Sequence, residues 1–307
     1  MTYSKILVIG SLNMDWVINV SHMPVAGETI LGQFSEEIPG GKGGNQAYAI
    51  GSLGGSVTMI GAVGNDSAGI RLVKTLSQVG IKTSSIAILP NSSSGLALIS
   101  INSQGDNTIT VLPNANAEVT PAYIDRHLDL IEAAEIILLQ LEIPLETVYH
   151  IINYAHSLGK TIILNPAPAT SSLPHDILAK VDYLTPNETE LGILSNLPAD
   201  TLNHMIAGGN YLLSLGVKNI ITTLGSQGAL LMNKERTCHF EGYPAKAIDT
   251  TAAGDSFNGA IALYLSEGKS IDECIRFANQ VASITVTRKG AQTSIPSLAE
   301  VQEKYNA

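Results

Sequence analysis

Short, continuous apolar runs recur along the chain, with amphipathic stretches between them. Residues 5–10, 57–61, 135–139, 161–164, 183–185 and 219–223 are rich in Ile, Leu, Val and Thr with little alternation, which predicts strands buried on both faces, as in a parallel sheet. Between them, residues 68–79, 145–158 and 199–215 carry apolar side chains three and four positions apart, which predicts helices lying on that sheet. This alternation is the grammar of an α/β fold. Residues 16–38 and 95–112 depart from it, alternating polar and apolar positions with no helical spacing between. They predict a small antiparallel sheet beside the main one. Two excursions from the C-terminal ends of strands are placed to cover a ligand in the crevice there, so the side sheet is expected to act as a lid. The pattern predicts one α/β domain over residues 1–307, with lid segments near 13–39 and 95–113.

Composition narrows the class. Of 307 residues, 45% are hydrophobic and 14% charged, against roughly 25% charged in an average soluble chain. A large two-sided core explains the difference. Seventeen basic and 27 acidic residues give a net charge of −10, the reverse of a nucleic-acid or anionic-membrane footprint. Cys238 and Cys274 form neither a CxxC nor a Cys/His spacing, so a reducing, cytoplasmic setting is expected. Met1-Thr2-Tyr3-Ser4-Lys5 leads into Ile6-Leu7-Val8-Ile9, an apolar run too short for a signal-peptide h-region, so no export is expected, and no run reaches the ~18 apolar residues of a membrane span.

Several familiar motifs fail. Gly159-Lys160-Thr161 and Gly268-Lys269-Ser270 mimic the end of a phosphate-binding loop, but Tyr154 and Leu263 stand where that loop needs its first glycine. Gly10-Ser11-Leu12-Asn13-Met14-Asp15 lacks two of the glycines of a dinucleotide fingerprint, and the seven histidines form no zinc-ligand spacing.

Two segments carry chemistry. Gly40-Gly41-Lys42-Gly43-Gly44-Asn45 sets four glycines around a lysine just before a helical run, allowing backbone and a helix N-terminus to approach an anionic or hydroxyl-rich ligand. A simple flexible turn is the competing explanation. Asp249-Thr250-Thr251-Ala252-Ala253-Gly254-Asp255-Ser256 opens another helix with small residues, whose unpaired N–H groups can stabilise charge developing in phosphoryl transfer. Asp255 is placed either to cap that helix or to take a proton from an attacking hydroxyl. Spacing alone leaves both roles open.

Together these segments, in this order and at this separation, resemble the two signatures of the ribokinase-like sugar kinases. The likeness extends over essentially the whole chain, through the segment at Gly10–Asp15, Gln140-Leu141-Glu142, Asn165-Pro166-Ala167-Pro168, Thr185-Pro186-Asn187-Glu188-Thr189-Glu190 and Thr287-Arg288-Lys289-Gly290-Ala291-Gln292. The resemblance implies a three-layer α/β/α sandwich with a mostly parallel central sheet and a small β-sheet lid. It implies ATP-dependent phosphorylation of D-ribose at the 5-hydroxyl, with Asp255 as general base and an anion hole at Ala252, Ala253 and Gly254. It assigns sugar binding to Asn13, Met14, Asp15, Gly41, Lys42, Gly43, Gly44, Asn45, Glu142 and Asp255. Nucleotide binding falls to Asn187, Thr223, Leu224, Gly225, Ser226, Gln227, Gly228, Asn279, Gly254 and Asp255. Mg²⁺ falls to Glu190, through water, and K⁺ to Asp249, Thr251, Thr285, Arg288, Gly290 and Ser294.

The chain departs from the family at Gly44, Ser256 and Asn279, and in a short region after Glu190. The alternatives are a sibling kinase for deoxyribose, fructose or a nucleoside, and a catalytically silent sugar-binding protein on the same fold. The lid strands carry Trp16, Ile18, Val20, Ile99 and Ile101, too apolar for a thin sheet wetted on both sides, so a homodimer through the lids is expected.

Overall fold

The structure, a computed structural model, describes residues 5–305. Residues 1–4 of the segment read for an export leader lie outside them. In chain order the strands are β1 (Ile6–Ile9), β2 (Asn13–Asn19), β3 (Phe34–Gly40), β4 (Val57–Gly64), β5 (Lys82–Leu89), β6 (Gly95–Ile101), β7 (Asn107–Leu112), β8 (Ile136–Leu139), β9 (Thr161–Leu164), β10 (Tyr183–Leu184), β11 (Asn219–Thr223), β12 (Ala229–Asn233) and β13 (Thr237–Phe240). They form a nine-stranded sheet in the order β13-β12-β11-β10-β9-β8-β1-β4-β5 and a four-stranded sheet in the order β3-β2-β6-β7. The main sheet is parallel from β11 to β5 and antiparallel only where β12 and β13 pair.

β1 shows why the sheet is covered on both sides. Ile6 and Val8 enter one core and Leu7 and Ile9 the other, because successive side chains on a strand point to opposite faces. The first core is closed by the helices Lys42–Ser52, Ser67–Gln78, Ala253–Ser266 and Ile271–Thr285. The second is closed by Leu145–Ser157 and Leu202–Ser214. Burying one such Ile, Leu or Val is worth roughly 1.5–3 kcal/mol, so the two cores fix the layers. The expected α/β/α sandwich is the observed fold.

Strand order reverses at β1, which lies between β8 and β4. A crevice therefore opens beyond the C-terminal ends of these strands. The segments following β1, β8, β9 and β10 all enter it, carrying Asn13, Glu142, Asn165 and Asn187 respectively.

The lid differs from expectation in one respect. β2 pairs with β3 and β6 with β7 in antiparallel fashion, but β2 and β6 run parallel. Each begins a hairpin that leaves the C-terminal end of a main-sheet strand, β1 or β5, so the two outgoing strands point the same way and pair at the centre. The register also divides the five apolar lid residues. Val17 lies opposite Ile99 and Asn19 opposite Ile101, so Ile99 and Ile101 share the face of Asn13 and Asp15, whereas Trp16, Ile18 and Val20 lie on the other. Val20 is buried outright.

Candidate active site

The glycine loop positions Lys42 by backbone geometry. Gly41 is the N-cap of Lys42–Ser52 with φ of 84°, a left-handed conformation that side chains disfavour. A methyl group at Gly43 would lie 2.7 Å from the backbone nitrogen of Ser11. That close approach seats the helix start on the turn leaving β1. Gly44 donates its N–H to the Ser11 carbonyl at 2.9 Å. Glu142, after β8, ties the two segments: its Oε2 accepts from Ser11 Oγ at 2.5 Å and from Lys42 N at 3.1 Å.

Asp255 is buried in the first turn of Ala253–Ser266. Its Oδ2 accepts from Asn45 Nδ2 at 2.9 Å and its Oδ1 from Gln46 Nε2 at 3.1 Å. Gln46 is fixed in turn. Its Nε2 also donates to Asn165 Oδ1, and its Oε1 accepts from Gln140 Nε2 at 2.6 Å. Asn165 Nδ2 donates to the Thr185 carbonyl at 3.0 Å, an acceptor that cannot be reversed, so the orientation of each amide follows from this one bond. No role for Gln46 was legible from its sequence neighbours. Gln140 and Asn165 stood out only within longer segments.

Ala252, the residue before this helix, has φ of 59°. Ala253 N–H closes a turn on the Thr250 carbonyl at 3.2 Å. The N–H groups of Gly254 and Asp255 have no acceptor among the described residues, as expected for donors at a helix N-terminus. The Ala253 N–H is taken up by the turn, whereas the N–H of Ala252, like those of Gly254 and Asp255, has no acceptor among the described residues. These three groups border a cleft of about 200 Å³ that Lys42, Asn165, Asn187, Glu190, Thr223 and Asp255 also line.

Electrostatics confirm the convergence. Burial raises the Asp15 carboxyl to about 7, helped by Glu142 and Asp255 and opposed by Lys42. Burial works against the Lys42 ammonium, but Asp255, Glu142, Glu190 and Asp15 together hold it above the usual lysine range. Burial also raises Glu190, while the Asn187 N–H and Lys42 pull the other way.

Other expected positions divide. Met14 points away from Asn13 and Asp15 and packs in the first core, because β2 alternates. Glu190 and Asn187 form a capping box, Asn187 Oδ1 accepting from Glu190 N at 2.8 Å and Glu190 Oε2 from Asn187 N at 2.9 Å. Asn187 bridges to Thr223 across the sheet edge. The Thr223–Gly228 loop closes through Leu224 N on the Gly228 carbonyl at 2.8 Å, with a 3₁₀ turn at Gly225–Gln227. Asn279 spends its amide on the carbonyls of Phe240 and Glu241.

Among the residues expected around K⁺, the Asp249 carboxylate accepts from Thr251 N and Oγ1 and from Gly290 N. Arg288 N donates to the Thr285 carbonyl, and Thr285 Oγ1 to Ser256 Oγ. The Arg288 side chain pairs with Glu300, and Ser294 Oγ donates to the Ala291 carbonyl. No cluster of three or more His, Cys, Asp or Glu side chains with metal-site geometry occurs among the described residues, nor any helix long and apolar enough to cross a membrane.

Comparison with known proteins gives this geometry a family. The model of the pfkB family of carbohydrate kinases matches residues 4–298. The ribokinase of Bacillus subtilis is 41% identical over 299 residues, 97% of this chain and 98% of the relative. The deoxyribokinase of Salmonella typhi is 38% identical over 298 residues, 97% of each. The structure of Arabidopsis thaliana ribokinase complexed with ribose and ATP is 32% identical, with a TM-score of 0.92 over 98% of each chain. The chain belongs to the pfkB family of carbohydrate kinases.

One titration follows from the cluster. Burial lifts the folded-state pKa of Asp15 from the ordinary carboxylate value of 3.8 to about 7, so its contribution to stability is complete below about pH 4 and lost as pH rises through about 7. Asp15→Asn removes this titration. The melting temperature of the sugar-free variant relative to wild type should therefore climb by a few degrees, roughly 2–4 °C, between about pH 5 and pH 8. A difference that stays constant across that range contradicts the buried cluster.

Proposed function

We propose that this pfkB-family carbohydrate kinase transfers the γ-phosphoryl group of ATP to the 5-hydroxyl of D-ribose. The observation that carries the reading is the pair of amide hydrogen bonds holding Asp255 beside the unpaired N–H groups of its own helix. In this account the 5-hydroxyl gives its proton to Asp255 as its oxygen attacks the γ-phosphorus in line. The bond to the β–γ bridging oxygen breaks, and ADP leaves. Charge on the transferring group meets the N–H groups of Ala252, Gly254 and Asp255, the positive helix end and Lys42.

Asn13, Asp15, Glu142, Asn45 and the backbone from Gly41 to Gly44 hold the sugar. Asn187, Thr223 and the loop through Leu224, Gly225, Ser226, Gln227 and Gly228 hold the nucleotide, with Asn279 shaping its far wall. The ribose and ATP carried by the Arabidopsis relative support both assignments.

The oxygen-rich surroundings suit hard cations. Glu190 already commits Oε2 to Asn187, so it suits Mg²⁺ reached through water, where the ion supplies charge neutralisation at the phosphates. Asp249, Thr251, Thr285, Arg288, Gly290 and Ser294 offer carboxylate, hydroxyl and carbonyl oxygens to K⁺, and Asp249 draws two of their loops together. We read residues 1–307 as one catalytic domain whose lid segments, 13–39 and 95–113, cover the sugar. The sugar-side face of the lid exposes Phe34, Ile109 and Val111, which favours a homodimer joined through the lids.

Phosphorylation of 2-deoxyribose is the second reading, supported by the Salmonella deoxyribokinase at 38% identity. Asn13 and Asp15 favour ribose, because a buried polar group left without its hydroxyl partner costs about 1–3 kcal/mol. A sugar panel assayed by ADP release should give ribose the highest kcat/KM, with K⁺ activating relative to a bulky organic cation. Deoxyribose or fructose as the best substrate rejects the ribose assignment, and indifference to K⁺ rejects the monovalent site. Light scattering at micromolar concentration should report a dimer, and a monomer contradicts the lid interface.

A further inference from the structure

Asn116 lies in the 3₁₀ turn Asn114–Glu118, where the chain leaves the lid after β7. It is 1% exposed. Its Oδ1 accepts from Leu12 N at 2.9 Å, and its Nδ2 donates to the Leu12 carbonyl at 3.2 Å and to Asn13 Oδ1 at 2.7 Å. The backbone of Leu12 settles which end of the Asn116 amide is which, since a backbone N–H can only donate and a carbonyl only accept. The Asn13 atom that faces Asn116 must then be its oxygen. Gly95, opposite Asn13 in the lid register, closes the remaining side: a methyl group there would overlap both Asn13 Oδ1 and Asn116 Nδ2. Asn13 Nδ2 is left as the group with no partner among the described residues, on the strand face that also carries Asp15.

We propose that Asn116 is the positioning residue that locks the Asn13 amide with its NH2 toward the sugar, so that the chain reads the ribose 2-hydroxyl with a donor from Asn13 and an acceptor from Asp15. This rests on the ribose reading above. A hydroxyl has one proton to give but two lone pairs to offer. Above the pH range in which Asp15 titrates, its carboxylate can only accept, so on a sugar held between these residues the hydroxyl proton goes to Asp15 and the amide must donate. If Asn13 turned its oxygen inward, two acceptors would compete for one proton. Asn116 touches neither the sugar nor the phosphates in this account; it acts through Asn13. It also lies where three stems of the lid meet, beside Leu12 and Gly95, so the amide is set by the same contact that joins the lid to the main sheet.

Asn116→Asp tests the lock. One carboxylate oxygen keeps the bond from Leu12 N, while the other faces Asn13 Oδ1 and forces that amide to rotate, presenting its oxygen to the sugar. The ratio of kcat/KM for ribose to that for 2-deoxyribose should fall about tenfold or more, carried by the KM for ribose, with little change for 2-deoxyribose. Asn116→Ala frees the amide without reversing it, and serves by the same ratio if the Asp variant does not fold by circular dichroism. In an Asn13→Ala background, Asn116→Asp should leave the ratio unchanged. Equal losses for both sugars in the folded variants make Asn116 a purely structural residue and overturn the proposal, as does a further change of ratio in the Asn13→Ala background. A wild-type ratio near one removes the ribose reading itself, and this proposal with it. A high wild-type ratio that survives both substitutions removes only the role of Asn116.

Discussion

Four carboxylates, those of Asp15, Glu142, Glu190 and Asp255, act on one largely buried ammonium, that of Lys42. Confining so many acids is unfavourable unless a cation is held among them, and burying a lone cation is unfavourable unless acids surround it. Each side of this arrangement needs the other. Lys42 must therefore be placed by something stiffer than its own flexible stem, and backbone does it. The left-handed Gly41 and the contact of Gly43 with Ser11 seat the helix start, while Glu142 accepts from Lys42 N as well as sharing its field. The glycines, for which a flexible turn was the competing explanation in the sequence, instead seat the charge on fixed backbone.

Asp255 depends on a second, neutral layer. Asn45 and Gln46 each donate to one oxygen of Asp255, and Gln140, Asn165 and Thr185 fix Gln46. Amides fit this role because they orient a carboxylate without adding charge to a pocket already crowded with it. Phosphate chemistry in so acidic a chain also becomes intelligible. In the proposed reaction the transferring group would meet backbone N–H groups and one lysine, so a net charge of −10 is no obstacle to a polyanionic substrate.

Features carried by consecutive residues were legible in the sequence. The strand runs, both glycine-opened helices and Asp255 all follow from local composition, and the whole-chain likeness to sugar kinases agrees with the observed fold. Features carried by register or distance were not. Met14 sits between two site residues, yet alternation along β2 sends it into the core. Ile99 and Ile101 fall on the opposite lid face from Trp16 and Ile18 because β2 and β6 pair in parallel. Gln46 meets Asn165 and Gln140 across 119 and 94 residues, and Asn116 meets Leu12 across 104. No spacing rule reaches that far. Strand β5 lies at a sheet edge, where partial exposure breaks the continuous apolar run that marked its neighbour β4, while β12 and β13 went unread in the sequence.

The central claim is that Asp255, held by two amides beside unpaired N–H groups, removes the proton from the attacking hydroxyl. Asp255→Asn keeps the shape and deletes the basic oxygen. Steady-state kinetics of the folded variant with ribose and ATP should show kcat reduced ~100- to 10,000-fold, with the KM for ribose changed far less. A kcat within about threefold of wild type, well under the range for loss of a general base, would contradict the account.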